Sequence, residues 1–137
     1  MTARFTLGFL MLALIAGCAP SDPKLEIQEE RARWTVQLLS WAPVEGASNG
    51  INVGLRVSGP PNSKLKQLTY RISLLDTANE TVAEDWRTLD LSTVERGGPK
   101  DIRLRLDTQG HAVEGLAVDL LLYPTPEEEQ RIPELQI

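Results

Sequence analysis

The sequence predicts an all-β fold, an antiparallel β-sandwich of about seven strands that follows an apolar N-terminal segment. Apolar residues recur at every second position in several stretches, which is the period of a half-buried strand. Turns rich in glycine, proline and asparagine separate these stretches, and none shows the longer period of an amphipathic helix. Short alternating strands joined by turns are typical of two antiparallel sheets packed face to face.

The middle of the chain contains the two clearest strands. In residues 51–57 and 68–74, apolar side chains alternate with mostly polar ones, so that one row of each strand faces the core. These rows are Ile51, Val53, Leu55 and Val57, and Leu68, Tyr70, Ile72 and Leu74. The same reasoning predicts strands at 34–41, 81–91, 102–106 and 116–122, with short edge strands at 25–27 and 135–137.

In two of the predicted strands, apolar residues occur on both faces. In residues 34–41 the apolar parity changes partway, which indicates either a bulge near Ser40 or a partly covered outer face. In residues 116–122 a single inward row is expected. The inward sets are Trp34, Val36 and Leu38, and Leu116, Val118, Leu120 and Leu122; the opposite parity holds Leu39 and Trp41, and Ala117, Asp119, Leu121 and Tyr123.

Local side-chain interactions are expected at two places. Thr125, Pro126 and Glu128 have the spacing of a helix N-cap, a first helical residue and a capping-box glutamate, so a single helical turn is predicted before the chain reaches residue 133. The hairpin around residues 76–80 places Arg71 opposite Glu84 or Asp85. A surface ion pair of this kind contributes about 0–1 kcal/mol to the free energy of unfolding.

The N-terminus has three parts in the order of an export signal. Arg4 gives a positive start, residues 5–16 form an apolar run, and Ala16-Gly17 is a small-residue cleavage site. An uncleaved membrane helix is disfavoured because twelve residues span only about 18 Å of a hydrocarbon core of about 30 Å. The stretch Leu14-Ile15-Ala16-Gly17-Cys18 resembles the lipobox of bacterial lipoproteins, which implies that Cys18 is lipidated and begins the mature chain.

The same resemblance implies a location in the cell envelope. Ala19 follows the cysteine at the position where related lipoproteins sorted to the inner membrane favour aspartate. An outer-membrane anchor facing the periplasm is therefore expected in a Gram-negative host. The predicted organisation is a signal peptide at 1–17, a lipidated tether with two prolines at 18–24 and the β-sandwich at 25–137.

Charge and cysteine content narrow the possible functions. Removing residues 1–17 leaves thirteen basic and nineteen acidic side chains, a net charge of −6, and an acidic domain argues against nucleic acid as a partner. Cys18 is the only cysteine, so its acylation leaves no thiol for a disulfide, a nucleophile or a metal site. Burial alone must stabilise the fold, and about 110 residues suffice for one core.

Residues 51–106 contain motifs similar to those of a family of small bacterial domains called FxLYD, which are immunoglobulin-like or fibronectin-III-like. These motifs are Leu55-Arg56-Val57-Ser58-Gly59, Asn62-Ser63, Ile72-Ser73-Leu74-Leu75-Asp76, Thr81-Val82, and Arg96-Gly97-Gly98 before Ile102. The resemblance implies an immunoglobulin/fibronectin-III-like sandwich that acts as an accessory or binding module. It implies no catalytic residues.

The remaining residue patterns do not point to catalysis, a cofactor or a metal. His111 is the sole histidine and lies in a loop. Glu84 and Asp85 are adjacent in a strand, so their carboxylates point to opposite faces. The run at 127–129 is a favourable helix start, and no Gly-x-Ser-x-Gly motif occurs. We therefore predict a protein that is not an enzyme and needs no cofactor.

Two sets of outward-facing side chains are candidates for recognition. An apolar set would form a docking face if its members are contiguous, although single exposed apolar residues are common. A basic set would hold an anionic ligand, whereas the interleaved Asp101 and Asp107 favour a neutral surface. The apolar set is Leu75, Leu121, Tyr123 and Trp41, with Leu39 nearby, and the basic set is Arg56, Arg103 and Arg105.

Three functions stay open at this point. The first is a membrane-tethered accessory lipoprotein that binds another envelope protein through a sandwich face or an edge strand, with the lipid anchor as its membrane contact. The second is a module that binds an envelope glycan or an anionic lipid through the arginines. The third is an inhibitor of a periplasmic hydrolase that uses loop 59–63 or loop 109–113 as a plug.

Overall fold

Two antiparallel three-stranded sheets form the body of the molecule, as expected. The computed structural model describes residues 22–46 and 49–137, so the predicted signal peptide, Cys18 and residues 19–21 of the predicted tether lie outside the described residues. The six strands in this part of the chain are β1 (Thr35–Pro43), β2 (Gly50–Ser58), β3 (Gln67–Leu75), β4 (Thr81–Asp90), β5 (Lys100–Asp107) and β6 (Gly115–Asp119). The first sheet has the order β1-β2-β5 and the second has the order β4-β3-β6.

The main core lies between the two sheets and is built by the rows that the alternation predicts. Side chains from β2 and β5 of the first sheet meet side chains from β3 of the second. Burial of each such side chain stabilises the fold by about 1.5–3 kcal/mol before entropy is subtracted. The buried members of this cluster are Ile51, Val53, Leu55, Tyr70, Ile72, Leu74 and Leu106.

A bulge in β1 explains the change of parity at its centre. The register between β1 and β2 shifts between Leu38 and Ser40, which confirms the predicted bulge. Leu39 is the extra residue and is 42% exposed. After the bulge Trp41 lies opposite Val53 and packs against the core, so its side chain is half-buried.

The N-terminal segment is a helix, and the predicted edge strand at 25–27 is wrong. Helix α1 (Pro23–Arg31) begins after Asp22, whose side chain accepts a hydrogen bond from the Lys24 backbone N–H at 3.0 Å. Proline at the first helical position lacks only an N–H that a helix start leaves unpaired. The predicted tether therefore overlaps the helix at its last two residues. Within the described ranges no helix is long and apolar enough to cross a bilayer.

The segment after β6 reverses the predicted orientation of its side chains. β6 ends at Asp119, whose side chain accepts a hydrogen bond from the Leu121 N–H at 2.8 Å, and Leu121 has a φ of 58°. The chain therefore leaves the strand geometry, so that Leu121 is 4% exposed and Leu122 is 37% exposed. Both positions are opposite to the alternation expected from the sequence.

The C-terminal segment has no strand. Helix α2 (Pro126–Glu129) carries the predicted capping box, in which the Thr125 hydroxyl accepts from the Glu128 N–H and the Glu128 carboxylate accepts from the Thr125 N–H. A 3₁₀ turn (Pro133–Leu135) replaces the predicted edge strand at 135–137. Leu135 is fully buried, whereas Ile137 is 70% exposed.

A third layer, which we call the terminal layer, consists of residues 22–31 and 120–137. It contains α1, the segment after β6, α2 and the C-terminal 3₁₀ turn. It covers the outer face of the second sheet through a separate apolar cluster. Trp86 of β4 and Ile27 of α1 pack against this cluster, whose buried members are Leu121, Ile132 and Leu135. No described element covers the outer face of the first sheet, whose outward side chains are exposed.

The hairpin between β3 and β4 has a different register from the predicted ones. Arg71 pairs with Trp86 and not with Glu84 or Asp85. Its guanidinium bonds instead to Glu128 of α2 at 2.7 Å and to Asp119 of β6 at 3.2 Å. The predicted ion pair is therefore wrong, because the acidic partners come from the terminal layer and from β6.

Candidate functional site

A groove of about 520 Å³ crosses the uncovered outer face of the first sheet. Two rungs of the sheet form it, each with one residue from β1, β2 and β5. The first rung is Ser40, Gly54 and Arg103, and the second is Ala42, Asn52 and Arg105. Gly54 deepens the groove, because a Cβ at this position would lie only 2.9 Å from the Ser40 hydroxyl oxygen.

The arginines at this face differ in how they are compensated. Arg56 lies outside the groove and binds both carboxylate oxygens of Asp101, at 2.7 and 3.1 Å. This hydrogen-bonded pair lowers the pKa of Asp101 and raises the pKa of Arg56. Arg103 and Arg105 are exposed and make no ion pair with a described residue. Of the three predicted arginines, two therefore line the groove and one is neutralised.

The two acidic residues beside the groove make their side-chain hydrogen bonds outside it. Asp101 is held by Arg56, and a side-chain oxygen of Asp107 accepts a hydrogen bond from the Gln109 N–H at 2.8 Å in the following turn. The side chain of Arg105 lies over Gly50: a Cβ added to Gly50 would be 3.2 Å from the Nε atom of Arg105. The predicted basic set is therefore reduced to two guanidinium groups, which project into a polar groove.

The predicted apolar docking set is not contiguous. Leu75 pairs with Gly115 at one end of the β3–β6 ladder, whereas Leu121 follows β6 beyond the other end. Leu121 is buried under the terminal layer, which corrects its predicted outward orientation. Trp41 belongs to the first sheet and packs on the core, and Tyr123 is 97% exposed. The four side chains do not form one surface.

Sequence reasoning missed the buried network around Arg31. All five N–H donors of its guanidinium have acceptors, and the side chain is fully buried. Burial lowers the pKa of Arg31, and Glu134 acts in the opposite direction. The acceptors are the Gln28 side chain, Glu134 at 3.2 Å, and the carbonyls of Leu121 at 3.1 Å, Thr69 at 2.9 Å and Leu120.

Glu134 completes this network on the acidic side. Its carboxylate accepts hydrogen bonds from the backbone N–H of Thr69, at 2.6 Å, and from the Thr69 hydroxyl. The pair therefore joins both ends of the described chain to the central strand of the second sheet. Because its polar groups are saturated by protein, it can hold the fold but offers no free group to a ligand. The helix start at Asp22-Pro23 was the only sequence signal for it.

The residues weighed as catalytic or metal-binding groups are used locally. Glu84 accepts a hydrogen bond from the Trp86 indole at 3.1 Å, and Asp85 pairs with Arg87 at 3.1 Å. His111 lies in an exposed turn, where its backbone N–H donates to the Thr108 carbonyl. The described part of the chain holds no group of three or more acidic, histidine or cysteine side chains arranged around a metal position.

The two loops considered as inhibitor plugs differ in exposure. In loop 59–63, Gly59 packs against the Trp34 ring, where a Cβ would approach to 2.2 Å. The hydroxyl of Ser63 accepts from the Trp34 indole at 3.0 Å and donates to Glu30 at 2.8 Å. In loop 109–113 residues 109–112 are exposed, and Val113 packs on the core. The first loop is thus tied to the body of the domain.

Comparisons with protein families, with curated proteins and with solved structures gave no match to this chain. The groove must therefore be interpreted from its own chemistry.

Proposed function

We propose that this protein is a lipoprotein anchored in the cell envelope at Cys18, whose domain binds an acidic segment of another envelope protein through the groove on the first sheet. One observation carries this proposal. Arg103 and Arg105 lie in an uncovered groove without an acidic partner among the described residues. The proposal concerns binding and involves no catalysis.

The spacing of the two arginines suits an extended acidic segment. Residues two apart on a strand lie on one face, about 6.5–7 Å apart. Carboxylates at alternate positions of an extended partner have the same spacing, so two of them can meet Arg103 and Arg105 together. Guanidinium groups bind carboxylates through paired hydrogen bonds, which gives direction as well as charge attraction. Gly54 leaves room for the partner, and Ser40 and Asn52 offer hydrogen bonds to it.

The anchor is part of the proposed mechanism. The lipobox resemblance at residues 14–18 supports acylation of Cys18, and Ala19 supports an outer-membrane location facing the periplasm. Confinement to a membrane surface raises the effective concentration of a partner in the same envelope. A weak groove interaction is then sufficient for function. Replacing Cys18 with serine should release the protein from the membrane fraction; retention of that variant would refute the anchor.

We also propose that the sandwich is of the immunoglobulin or fibronectin-III type. In immunoglobulin constant-type domains the first, second, fourth and fifth strands share one sheet, and the third, sixth and seventh share the other. β1, β2 and β5 here share a sheet, and so do β3 and β6, which supports this assignment. The fourth strand departs from the constant-type arrangement, because β4 pairs with β3 in the second sheet; the terminal layer occupies the region after β6.

A site-specific crosslinking experiment tests the groove. A photoreactive amino acid at Ser40 in the groove should give adducts with a protein in intact cells, whereas the same group at Thr77, in the exposed β3–β4 turn, should not. The double variant Arg103→Ser and Arg105→Ser should abolish the Ser40 adduct, and added salt should weaken it in isolated envelopes because the pairing is electrostatic. Adducts that persist in the double variant would refute the groove as the binding site.

An anionic envelope glycan is the second candidate. The polar side chains of Ser40 and Asn52 beside the two guanidinium groups favour it, since hydroxyl-rich ligands need neutral hydrogen-bonding partners. The same crosslinking experiment distinguishes the two candidates. An adduct whose added mass is removed by a glycan hydrolase would favour the glycan, and one whose added mass yields peptides of a second protein after proteolysis would favour the acidic protein segment.

A further inference from the structure

Exposed large apolar side chains are concentrated in the terminal layer. In the described ranges five such residues are exposed, and four of them belong to this layer. The exception is Leu39, which is the extra residue of the β1 bulge. The four are Leu25 at 57%, Leu122 at 37%, Tyr123 at 97% and Ile137 at 70% exposure. A tyrosine with almost its whole surface in water is unusual, because its ring gains nothing from the fold.

Three of these residues lie near the start of the described chain. The side-chain amide of Gln28 in α1 donates to the Leu122 carbonyl at 3.2 Å, which places the Leu122-Tyr123 segment beside the helix. Leu25 lies one turn earlier, about 4.5 Å along the helix axis. α1 is also tied to α2 by the Lys24–Glu129 ion pair at 3.5 Å. This apolar set is therefore at the end of the domain at which the chain from Cys18 enters.

The distance from the anchor to this set is short. Residues 19–21 lie between Cys18 and Asp22, and the four Cα-to-Cα steps of a fully extended chain span at most about 14 Å. The polar layer on each side of a bilayer is about 5–8 Å thick. An acyl chain on Cys18 would therefore keep the start of α1 within reach of the lipid headgroups, whatever the conformation of the connecting residues.

We propose that Leu25, Leu122 and Tyr123 form a lipid-facing surface that rests in the headgroup region of the bilayer that holds Cys18. The proposal rests on the anchor proposed above and is independent of the groove. Tyrosine is enriched at membrane interfaces because its ring is apolar and its hydroxyl is polar. The acyl chain supplies the affinity, and the three side chains set the orientation of the domain.

The charges around this surface determine the kind of lipid it suits. Glu26 follows Leu25 directly, and Glu29 lies one turn later on the same helix; both carboxylates are exposed. Asp22 and Glu127 are exposed as well, while the one lysine here, Lys24, is paired with Glu129. An anionic surface would repel these carboxylates. The surface therefore suits zwitterionic headgroups, and contact should weaken as the anionic lipid content rises.

A chemical anchor can test the surface without depending on acylation in cells. All described elements lie within residues 22–137, so a chain that starts at Cys18 keeps every described contact of the fold. Cys18, the only cysteine, is coupled to a maleimide-bearing lipid in phosphatidylcholine vesicles that contain brominated acyl chains. Bromine quenches tryptophan fluorescence on close approach, so added tryptophans report contact with lipid. The native tryptophans also fluoresce, and their quenching is measured separately in the parent protein and subtracted.

Two variants form the matched pair. Tyr123→Trp places the reporter in the proposed surface, and Leu39→Trp places it on the exposed bulge of β1. Both positions are exposed, so neither change disturbs packing. We expect the added fluorescence to be quenched in Y123W and unchanged in L39W, and the quenching to decrease as phosphatidylglycerol replaces phosphatidylcholine. Equal quenching in both variants, or none in Y123W, would overturn the proposal.

The experiment separates the two proposals. If Y123W is quenched on the chemical anchor but C18S stays with membranes in cells, the surface stands and acylation of Cys18 fails. If C18S is released but Y123W is not quenched, the anchor stands and the lipid-facing surface is wrong.

Discussion

The two outer faces of the sandwich use arginine in opposite ways. On the second sheet the terminal layer buries Arg31 completely, and protein acceptors engage every donor of its guanidinium. On the first sheet no described element covers the strands, and Arg103 and Arg105 have no ion-pair partner among the described residues. The same side chain thus stabilises one face and remains available to a ligand on the other.

This difference shows that coverage, and not residue type, decides the role of a charged side chain. A buried guanidinium must have every donor satisfied, because an unpaired charge in the interior is strongly destabilising. An exposed guanidinium pays no such penalty and retains its hydrogen-bonding capacity. The comparison predicts that changes on the covered face alter stability, whereas changes on the open face alter binding. Four predictions follow from it, in order of decreasing effect.

The largest effect is expected from Arg31→Met. Removal of the guanidinium leaves the Glu134 carboxylate buried without its ion-pair partner, and the loss of one partner of a buried pair costs about 3–5 kcal/mol. Urea unfolding measures this as a large fall in the midpoint. Arg33→Met is the control, because Arg33 is exposed and its one ion-pair partner among the described residues is Glu30. A loss of less than about 1 kcal/mol in R31M would mean that the network does not hold the layer in place.

A smaller loss is expected from Leu135→Ala. Leu135 is fully buried in the cluster of the terminal layer, and truncation of a buried leucine costs about 2–5 kcal/mol. The matched change Ile137→Ala, two residues later and 70% exposed, should cost less than about 0.5 kcal/mol. Thermal unfolding of the two variants measures the difference. Equal midpoints would show that the terminal layer contributes nothing to the stability of the second sheet.

The open face should respond in the opposite sense. The double variant Arg103→Ser and Arg105→Ser should change the free energy of unfolding by no more than about 0.5 kcal/mol, because both side chains are exposed and unpaired in the described structure. The same variant should lose the adduct at Ser40. Urea unfolding checks the first expectation. A destabilisation as large as that of R31M would assign these arginines a structural role and would remove the contrast between the faces.

The smallest effect is a pH dependence at the covered face. Hydrogen bonding from Thr125, together with the nearby Arg71, lowers the pKa of Glu128 in the folded protein. A depressed folded pKa contributes stability above the ordinary glutamate value of about 4.3, and this contribution is lost as the pH falls through the folded value. Glu128→Gln should therefore flatten the fall of the urea midpoint below about pH 5. Glu127→Gln, at an exposed neighbouring position, should keep the parent slope.

The sequence was sufficient for the sheets and insufficient for the terminal layer. Alternation in residues 51–57 and 68–74 identified the buried rows because a strand buries every second side chain. The same pattern could not reveal α1, since its most buried residue is Arg31, and hydrophobic periodicity does not register a buried charge. Asp22-Pro23 has the same capping chemistry that identified the helix at Thr125-Pro126. Applied at both places, it would have predicted both helices.

The candidate site was predictable only in part. The sequence identified Arg103 and Arg105 as outward-facing, because they alternate with apolar residues of β5. It did not indicate that Asp101 and Asp107 are engaged elsewhere, since the Arg56 contact depends on strand register and the Gln109 contact on turn geometry. Continued alternation predicted that Leu121 faces outward. The prediction failed because β6 ends at Asp119 and Leu121 has a positive φ, which the apolar pattern does not indicate.

The position of Arg31 has a mechanical consequence. If Cys18 carries the proposed lipid, a pull on that end of the chain enters the fold along α1 and reaches this side chain at the end of the helix. Its grip on carbonyls of Thr69, Leu120 and Leu121, together with Glu134, spreads the load over three segments at once. The groove belongs to the other sheet, so we expect tension on the proposed anchor to leave its shape unchanged.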